Sequence, residues 1–257
     1  MINKNLDEML NIITIAKQAG DQIMQIYQKD FSVEYKEDQS PLTEADLASH
    51  HLICDELSKL YPKIPTLSEE SANSFTLASE NASFWCVDPL DGTKEFIKKI
   101  DEFTVNIALI QNHQPILGVI GVPAKNVVYA AVNGKGAFKQ EGDDELQKIN
   151  VKSQDNNNLT FAVSRSHLVD QTKNLVNQHR AKMVQAGSAL KLTYVAEGVV
   201  DAYPRFGPTM LWDVAAGQCI IEEAGGQVLS LDDQSPMKYN INKLINTSFI
   251  AFNKPLL

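Results

Sequence analysis

Apolar side chains at Leu6, Met9, Leu10, Ile13, Ala16, Ile23, Ile26 and Tyr27 recur at the intervals that line one face of a helix. This pattern predicts a long amphipathic helix over residues 6–27. Alternation over residues 31–36 reads as a short strand. Thr43-Glu44-Ala45-Asp46, with Pro41 just upstream, opens a second helix running to about residue 60. Residues 63–67 and 84–87 are short apolar runs that each lead into acidic residues, as buried strands do. Four further β-rich runs, at 103–110, 116–122, 127–131 and 137–139, are separated by polar, Pro- or Gly-containing breaks, which predicts an antiparallel meander. After the polar stretch 153–158 the pattern changes to strand 159–163, helix 169–179, strand 182–185, helix 188–197, strand 200–203 and helix 213–224. That alternation is of α/β type. Two lobes are expected, 1–155 as an N-terminal α+β lobe and 156–257 as a C-terminal α/β lobe that completes a cleft. Met183, Met210 and the first helix are assigned to packing.

Composition narrows the function classes. The 257 residues carry 44% hydrophobic and 21% charged side chains, ordinary for a globular chain and enough to bury a sizeable core. The net charge of −9 repels nucleic acid and anionic lipid surfaces. Cys54, Cys86 and Cys219 are odd in number and widely spaced, which supports neither a disulfide framework nor a zinc knuckle. No apolar run approaches the roughly 20 residues of a membrane span, and the N-terminus does not read as a signal peptide. A cytoplasmic protein is expected.

The chemistry concentrates in Trp85-Cys86-Val87-Asp88-Pro89-Leu90-Asp91-Gly92-Thr93-Lys94-Glu95-Phe96. A strand ends in Asp88, Pro89 is expected to stop further sheet pairing, and Gly92 permits an unusual backbone angle before a short helix. Two carboxylates with the Leu90 carbonyl between them form a hard-oxygen set that suits Mg²⁺. The amides of Gly92 and Thr93 stand where an anion would be held. Taken alone, the same residues are equally a turn with Asp91 capping a helix. Leu67-Ser68-Glu69-Glu70-Ser71, Thr43–Asp46 and Trp212-Asp213-Val214-Ala215-Ala216-Gly217 add acidic residues that would individually read as a solvated loop and two helix caps. The run Glu141-Gly142-Asp143-Asp144-Glu145 lacks the ligand spacing of a calcium loop and is read as solvated.

Together these four segments resemble, in order and over nearly the whole chain, the inositol monophosphatase superfamily of Mg²⁺-dependent, Li⁺-sensitive phosphatases. Within it the resemblance is to the CysQ-type 3′(2′),5′-bisphosphate nucleotidases. It rests on Asp91-Gly92-Thr93-Lys94-Glu95-Phe96, the stretch Glu102 to Ile110, Pro115-Ile116-Leu117-Gly118-Val119, Gly187-Ser188-Ala189-Leu190-Lys191 and Gly207-Pro208-Thr209-Met210. Ala189 stands where these nucleotidases often carry a second serine.

The resemblance implies a sugar-phosphatase fold with αβαβα layers, and two or three Mg²⁺ ions per site. Glu70, Asp88 and the Leu90 carbonyl would hold the first ion, and Asp88, Asp91 and Asp213 the second; a third would sit near Glu70. Thr93 would orient the attacking water, with Asp46, favoured over Glu70, as its acidic partner. Gly92, Thr93, Ser164, Ser188, Lys191, Arg205 and Asp213 would bind substrate, with Lys94 and His167 as further candidates. The implied reaction removes the 3′-phosphate of adenosine 3′,5′-bisphosphate to give AMP and phosphate, with 3′-phosphoadenylyl sulfate as a further substrate, in sulfur metabolism. Inositol monophosphate or fructose 1,6-bisphosphate hydrolysis on the same fold is the alternative enzyme reading. A non-catalytic sensor of nucleotide and Mg²⁺ is the alternative of another class. A small-molecule partner is expected rather than nucleic acid, as monomer or homodimer, in the cytoplasm or peripherally on the inner-membrane face.

Overall fold

A computed structural model describes residues 6–35, 41–76, 83–153, 158–166 and 168–253. Helices α1 (Leu6–Tyr27) and α2 (Glu44–Leu60) flank a small antiparallel hairpin, β1 (Val33–Tyr35) and β2 (Pro41–Thr43). Next come β3 (Thr66–Ser68), a 3₁₀ turn at Glu69–Ser74, β4 (Phe84–Asp91) and the short helix α3 (Thr93–Ile97). The meander is β5 (Thr104–Gln111), β6 (Gln114–Val122), β7 (Val127–Val132), β8 (Gly136–Glu141) and β9 (Gln147–Ile149). The remaining chain forms β10 (Thr160–Ser164), α4 (Asp170–Gln178), β11 (Lys182–Ala186), α5 (Leu190–Ala196), β12 (Ala202–Arg205), α6 (Leu211–Glu223), β13 (Gln227–Ser230) and β14 (Phe249–Phe252). Strands β3 to β9 make one seven-stranded sheet in chain order, antiparallel except for the parallel β3–β4 pair. The second sheet has the order β11-β10-β12-β14-β13, parallel at β11-β10-β12 and antiparallel beyond.

Side-chain alternation along the central strands explains the layering. Trp85, Val87, Ile107, Leu109, Leu117 and Val119 turn toward α1 and α2, where they bury Met9, Ile12, Ala16, Ile53 and Leu57. Their neighbours Cys86, Ala108, Ile110 and Ile120 face the other way, onto α5 and α6, and the far side of those helices packs on Ala162, Tyr203, Val228 and Phe249 of the second sheet. The outer face of that sheet buries Phe161, Val163, Ala202 and Phe252 with Val176 of α4. The layers are α, β, α, β, α, as the resemblance implies. Helix α6 lies in the middle, with every residue buried except Asp213, Glu222 and Glu223. Its seating depends on two glycines. A Cβ on Gly118 of β6 would stand 2.4 Å from the Ala216 carbonyl, and one on Gly217 would stand 2.4 Å from Leu192 Cδ1 of α5.

Several expectations are corrected. Pro89 does not end β4: pairing with β5 breaks after Asp88 and resumes at Asp91 opposite Thr104, so the missing N–H is absorbed in a bulge. Leu6 and Leu10 are each 45% exposed, while Ile12, Ile15 and Ala19 are buried, because α1 is gripped by α2 as well as the sheet. Met183 is 52% exposed on the edge strand β11 rather than packed. The strands at 31–36 and 63–67 are shorter than expected, and β9, β13 and β14 lie outside the expected pattern. The three cysteines are free, Cys86 and Cys219 buried and Cys54 half-buried. Residue 155, the expected boundary between lobes, lies outside the described residues. No helix among the described residues is long and apolar enough to cross a membrane.

Candidate active site

The bulge in β4 builds the centre of the site. Asp88 is 1% exposed and accepts from the Leu90 N–H at 3.1 Å, while Ser49 Oγ of α2 donates to the Pro89 carbonyl at 2.7 Å and ties the turn down. Gly92 follows at φ 91° as the residue before α3. A side chain there is excluded twice, by the left-handed angle and by the Glu102 carbonyl 3.0 Å from any Cβ. Two helices deliver further carboxylates in the same manner. Asp46 is the third residue of α2 and accepts from Thr43 N at 2.7 Å and Thr43 Oγ1 at 2.6 Å, both through Oδ2. Asp213 is the third residue of α6 and accepts from Met210 N at 2.8 Å through Oδ2. It closes the first turn back onto the cap position instead of being the cap residue itself.

Of the acidic pair after β3, Glu69 lines the cavity and Glu70 does not. The Glu69 charge acts on Asp46, Asp88, Asp91 and Asp213. The structure therefore brings Glu69, the first residue of the 3₁₀ turn directly after β3, to the other carboxylates, one position before the Glu70 expected there. Thr93 Oγ1 donates to Asp46 Oδ1 at 3.1 Å and lies 3.3 Å from the Leu90 carbonyl, which brings Thr93 onto Asp46.

Burial, reinforced by neighbouring carboxylates, raises the carboxyls of Asp88 and Asp213 well above the usual range, and burial also raises Asp46. Asp91 is raised to about 6, chiefly by burial, against the opposing pull of Lys191 and its bond from Ala189 N. Asp91 Oδ2 receives Ala189 N at 2.6 Å and Asn106 Nδ2 at 3.5 Å. Asp88, Asp91 and Asp213 thus each spend one oxygen on a donor from the chain. Asp88 Oδ2, Asp91 Oδ1 and Asp213 Oδ1 have no hydrogen-bond donor among the described residues. A hard divalent cation fits this donor set: it would satisfy the spare oxygens and offset the repulsion that raises the pKa values. Among the described residues no three such side chains close around a point.

The facing wall carries the positive charge. Lys191 is 5% exposed, with Nζ 2.5 Å from the Ser188 carbonyl and 5.3 Å from the centre of the Tyr203 ring. Burial lowers its pKa to about 8 despite the attraction of Asp91. Arg205 Nη1 donates to Ser164 Oγ at 2.9 Å and Nη2 to the Pro208 carbonyl at 3.1 Å, while its Nε is buried with no hydrogen-bond partner. Gly92, Thr93, Lys94, Ser164, Ser188, Lys191, Arg205 and Asp213 all line the one cavity, of about 330 Å³, with Asp88, Leu90 and Asp91. His167 lies outside the described residues. Glu69, which sequence reasoning did not single out, lines the cavity. That reasoning also missed Asn106 on β5, and Glu95, Glu102, Arg165 and Ser166, which join the two walls: Ser166 Oγ donates to Glu95 Oε1 at 2.7 Å and Arg165 pairs with Glu102. The runs Lys94-Glu95-Phe96 and Ser164-Arg165-Ser166 were visible, but no spacing signal connects residues so far apart in the chain.

The five layers and a carboxylate-walled cavity at the ends of β4 and α6 define a phosphatase type of architecture. The chain belongs to the inositol monophosphatase family, which it matches over residues 5–254. It is 45% identical to the 3′(2′),5′-bisphosphate nucleotidase CysQ of Escherichia coli O6:H1, over 84% of this chain and 88% of that one. It is 41% identical to the protein of the same name from Buchnera aphidicola, over 97% and 96%. The crystal structure of CysQ from Bacteroides thetaiotaomicron superposes with a TM-score of 0.83 at 36% identity, covering 97% of this chain and 98% of that chain.

Proposed function

We propose that this chain is a Mg²⁺-dependent 3′(2′),5′-bisphosphate nucleotidase that removes the 3′-phosphate of adenosine 3′,5′-bisphosphate, giving AMP and phosphate, and that 3′-phosphoadenylyl sulfate is a second substrate. The observation that carries it is the division of one cavity into a carboxylate wall with spare oxygens and a cationic wall of Lys191 and Arg205. Similarity to the CysQ nucleotidases supports the nucleotide as the ester.

Glu69, Asp88, Asp91, Asp213 and the Leu90 carbonyl would hold the metal ions. When bound, Mg²⁺ supplies Lewis-acid charge to the phosphate oxygens and acidifies water. Thr93 already donates its hydroxyl proton to Asp46, so its oxygen lone pairs are free to accept a proton from the attacking water. The proton gained by Thr93 and the one it passes to Asp46 balance. Asp46 is suited to receive it, since burial raises its carboxyl above the ordinary range. Thr43 fixes the other Asp46 oxygen and so keeps Oδ1 aimed at Thr93. Lys191 and Arg205 neutralise the substrate's charge, and Ser164 and Ser188 offer hydroxyls to its ribose and phosphate oxygens.

The test is phosphate release under Mg²⁺, with and without EDTA, from adenosine 3′,5′-bisphosphate, inositol 1-phosphate and fructose 1,6-bisphosphate in parallel. An EDTA-sensitive preference for the nucleotide is expected. Preference for either sugar phosphate overturns the substrate assignment, and no release from any of the three overturns the enzymatic one.

A further inference from the structure

The cavity contains a guanidinium that the scheme above leaves unused. Arg165, just beyond β10, lines it beside Ser164 and Ser166, with a side chain 36% exposed. Its Nε and Nη2 grip the two oxygens of Glu102 at 2.8 and 2.7 Å, and Nη2 also reaches the Gln185 carbonyl at 3.2 Å. Glu102 is held from its other side by Gly187 N at 2.8 Å. The guanidinium plane is therefore fixed on two of its three nitrogens, and Nη1 has no hydrogen bond among the described residues. Arg205 is arranged the opposite way, with both terminal nitrogens spent on Ser164 and Pro208 and only a buried Nε left.

The two arginines also differ in electrostatic company. Lys191 acts on Asp91 and Arg205 on Asp213, and Lys191 also feels Glu95 and Glu102 more weakly than Asp91. The carboxylates that act most on Arg165 are Glu102 and Glu95, and Arg165 is far more exposed than the 5%-exposed Lys191. A substrate with two phosphates places one ester among the carboxylates and their metal ions. The second dianion would be repelled by the same carboxylates and needs a cation of its own, further out. A pre-oriented arginine with one unspent donor suits that role, because little freedom is lost on binding and phosphate accepts a charge-assisted bond.

Resting on the nucleotidase reading, we propose that Arg165, aimed by Glu102, binds the phosphate that is not cleaved, and so is the residue that separates bisphosphorylated from monophosphorylated nucleotides. Glu102 is a positioning residue: it touches no substrate and acts through the guanidinium.

The test compares kcat/KM for adenosine 3′,5′-bisphosphate and adenosine 3′-monophosphate in the full-length wild type, R165Q, R165K and E102Q, with melting temperatures measured alongside. In R165Q the preference for the bisphosphate is expected to fall about 10- to 100-fold, as loss of one charge-assisted contact implies, and to fall through KM rather than kcat. R165K restores part of the preference, because charge returns without the fork. E102Q lowers it less than R165Q, because the guanidinium remains but is no longer held. An unchanged preference in R165Q, in an enzyme that hydrolyses both nucleotides, overturns this proposal alone. Equal losses on both substrates with a lowered melting temperature also overturn it, and reduce the pair to a structural clasp. A wild type inert toward both nucleotides overturns the nucleotidase reading, and this proposal with it.

Discussion

Replacing Asp91 with asparagine is expected to make the metal-free protein more stable while removing its response to Mg²⁺. The native carboxyl holds its proton to about 6, whereas the unfolded chain ionises near the ordinary 3.8. Between these values the native state binds more protons than the unfolded one, so stability falls as pH rises through that window and levels off above it. Two pH units at about 1.4 kcal/mol each place the penalty at roughly 3 kcal/mol by pH 8. The side-chain amide of the D91N variant would carry no charge, and its carbonyl oxygen can still accept the Ala189 N–H. The opposing effect is Lys191, which loses an attractive neighbour. Burial already lowers its pKa to about 8, so at that pH it can release its proton instead of remaining an unpaired buried cation. A net gain of about 2 kcal/mol corresponds to roughly 4–8 °C in Tm for a chain of this size. The assay is thermal unfolding of wild type and D91N at pH 5 and pH 8, in EDTA and in millimolar Mg²⁺. In EDTA at pH 8 the variant should melt higher, and the difference should shrink at pH 5. In Mg²⁺ the wild type should gain stability by mass action and the variant should not. A variant that melts at or below wild type in EDTA at pH 8 would refute the idea of carboxylates held together against their own repulsion.

Thr93→Ala should lower kcat by about 10²–10⁴, the range for loss of a positioned proton acceptor, while leaving the Mg²⁺-induced rise in Tm in place. Thr93→Ser should retain most of the activity. Glu69→Gln should abolish most of the Mg²⁺-induced stabilisation and Glu70→Gln should preserve it; the reverse order in a melting experiment restores Glu70 as the ligand. Glu223→Ala removes the acceptor for the Gly134, Lys135 and Gly136 N–H groups at 2.8, 3.1 and 2.8 Å. Urea unfolding should register a loss of about 1–2 kcal/mol for these charge-assisted bonds at a partly exposed site, with nucleotide hydrolysis unaltered.

The legible parts of this chain were those set by local pattern. The bounds of α1 follow from its apolar periodicity, and the four-run meander from alternation broken by turn residues. What remained hidden depends on contacts between distant segments. Ile12 and Ile15 are buried because α2 lies across α1, which no periodicity within residues 6–27 reports. β13 and β14 are four residues each, and their ladders join them to one another and β14 to β12. At the site, acidic residues opening a 3₁₀ turn and at two helix starts could be identified by motif, yet which of Glu69 and Glu70 borders the cavity depends on how the chain turns after β3. The Glu102–Arg165 pair spans 63 positions and leaves no local trace.

Gly118 and Gly217 carry a kinetic consequence. Helix α6 is seated by backbone contact on the seven-stranded sheet and by close contact with α5, so the walls of the cleft share one rigid member that also bears Asp213. A cleft built this way is not expected to open by swinging its halves apart, as hinged two-domain enzymes do. Passage of substrate and product is left to side chains and short loops at the mouth. Turnover should then be governed by how fast phosphate leaves its cations rather than by a large closing motion.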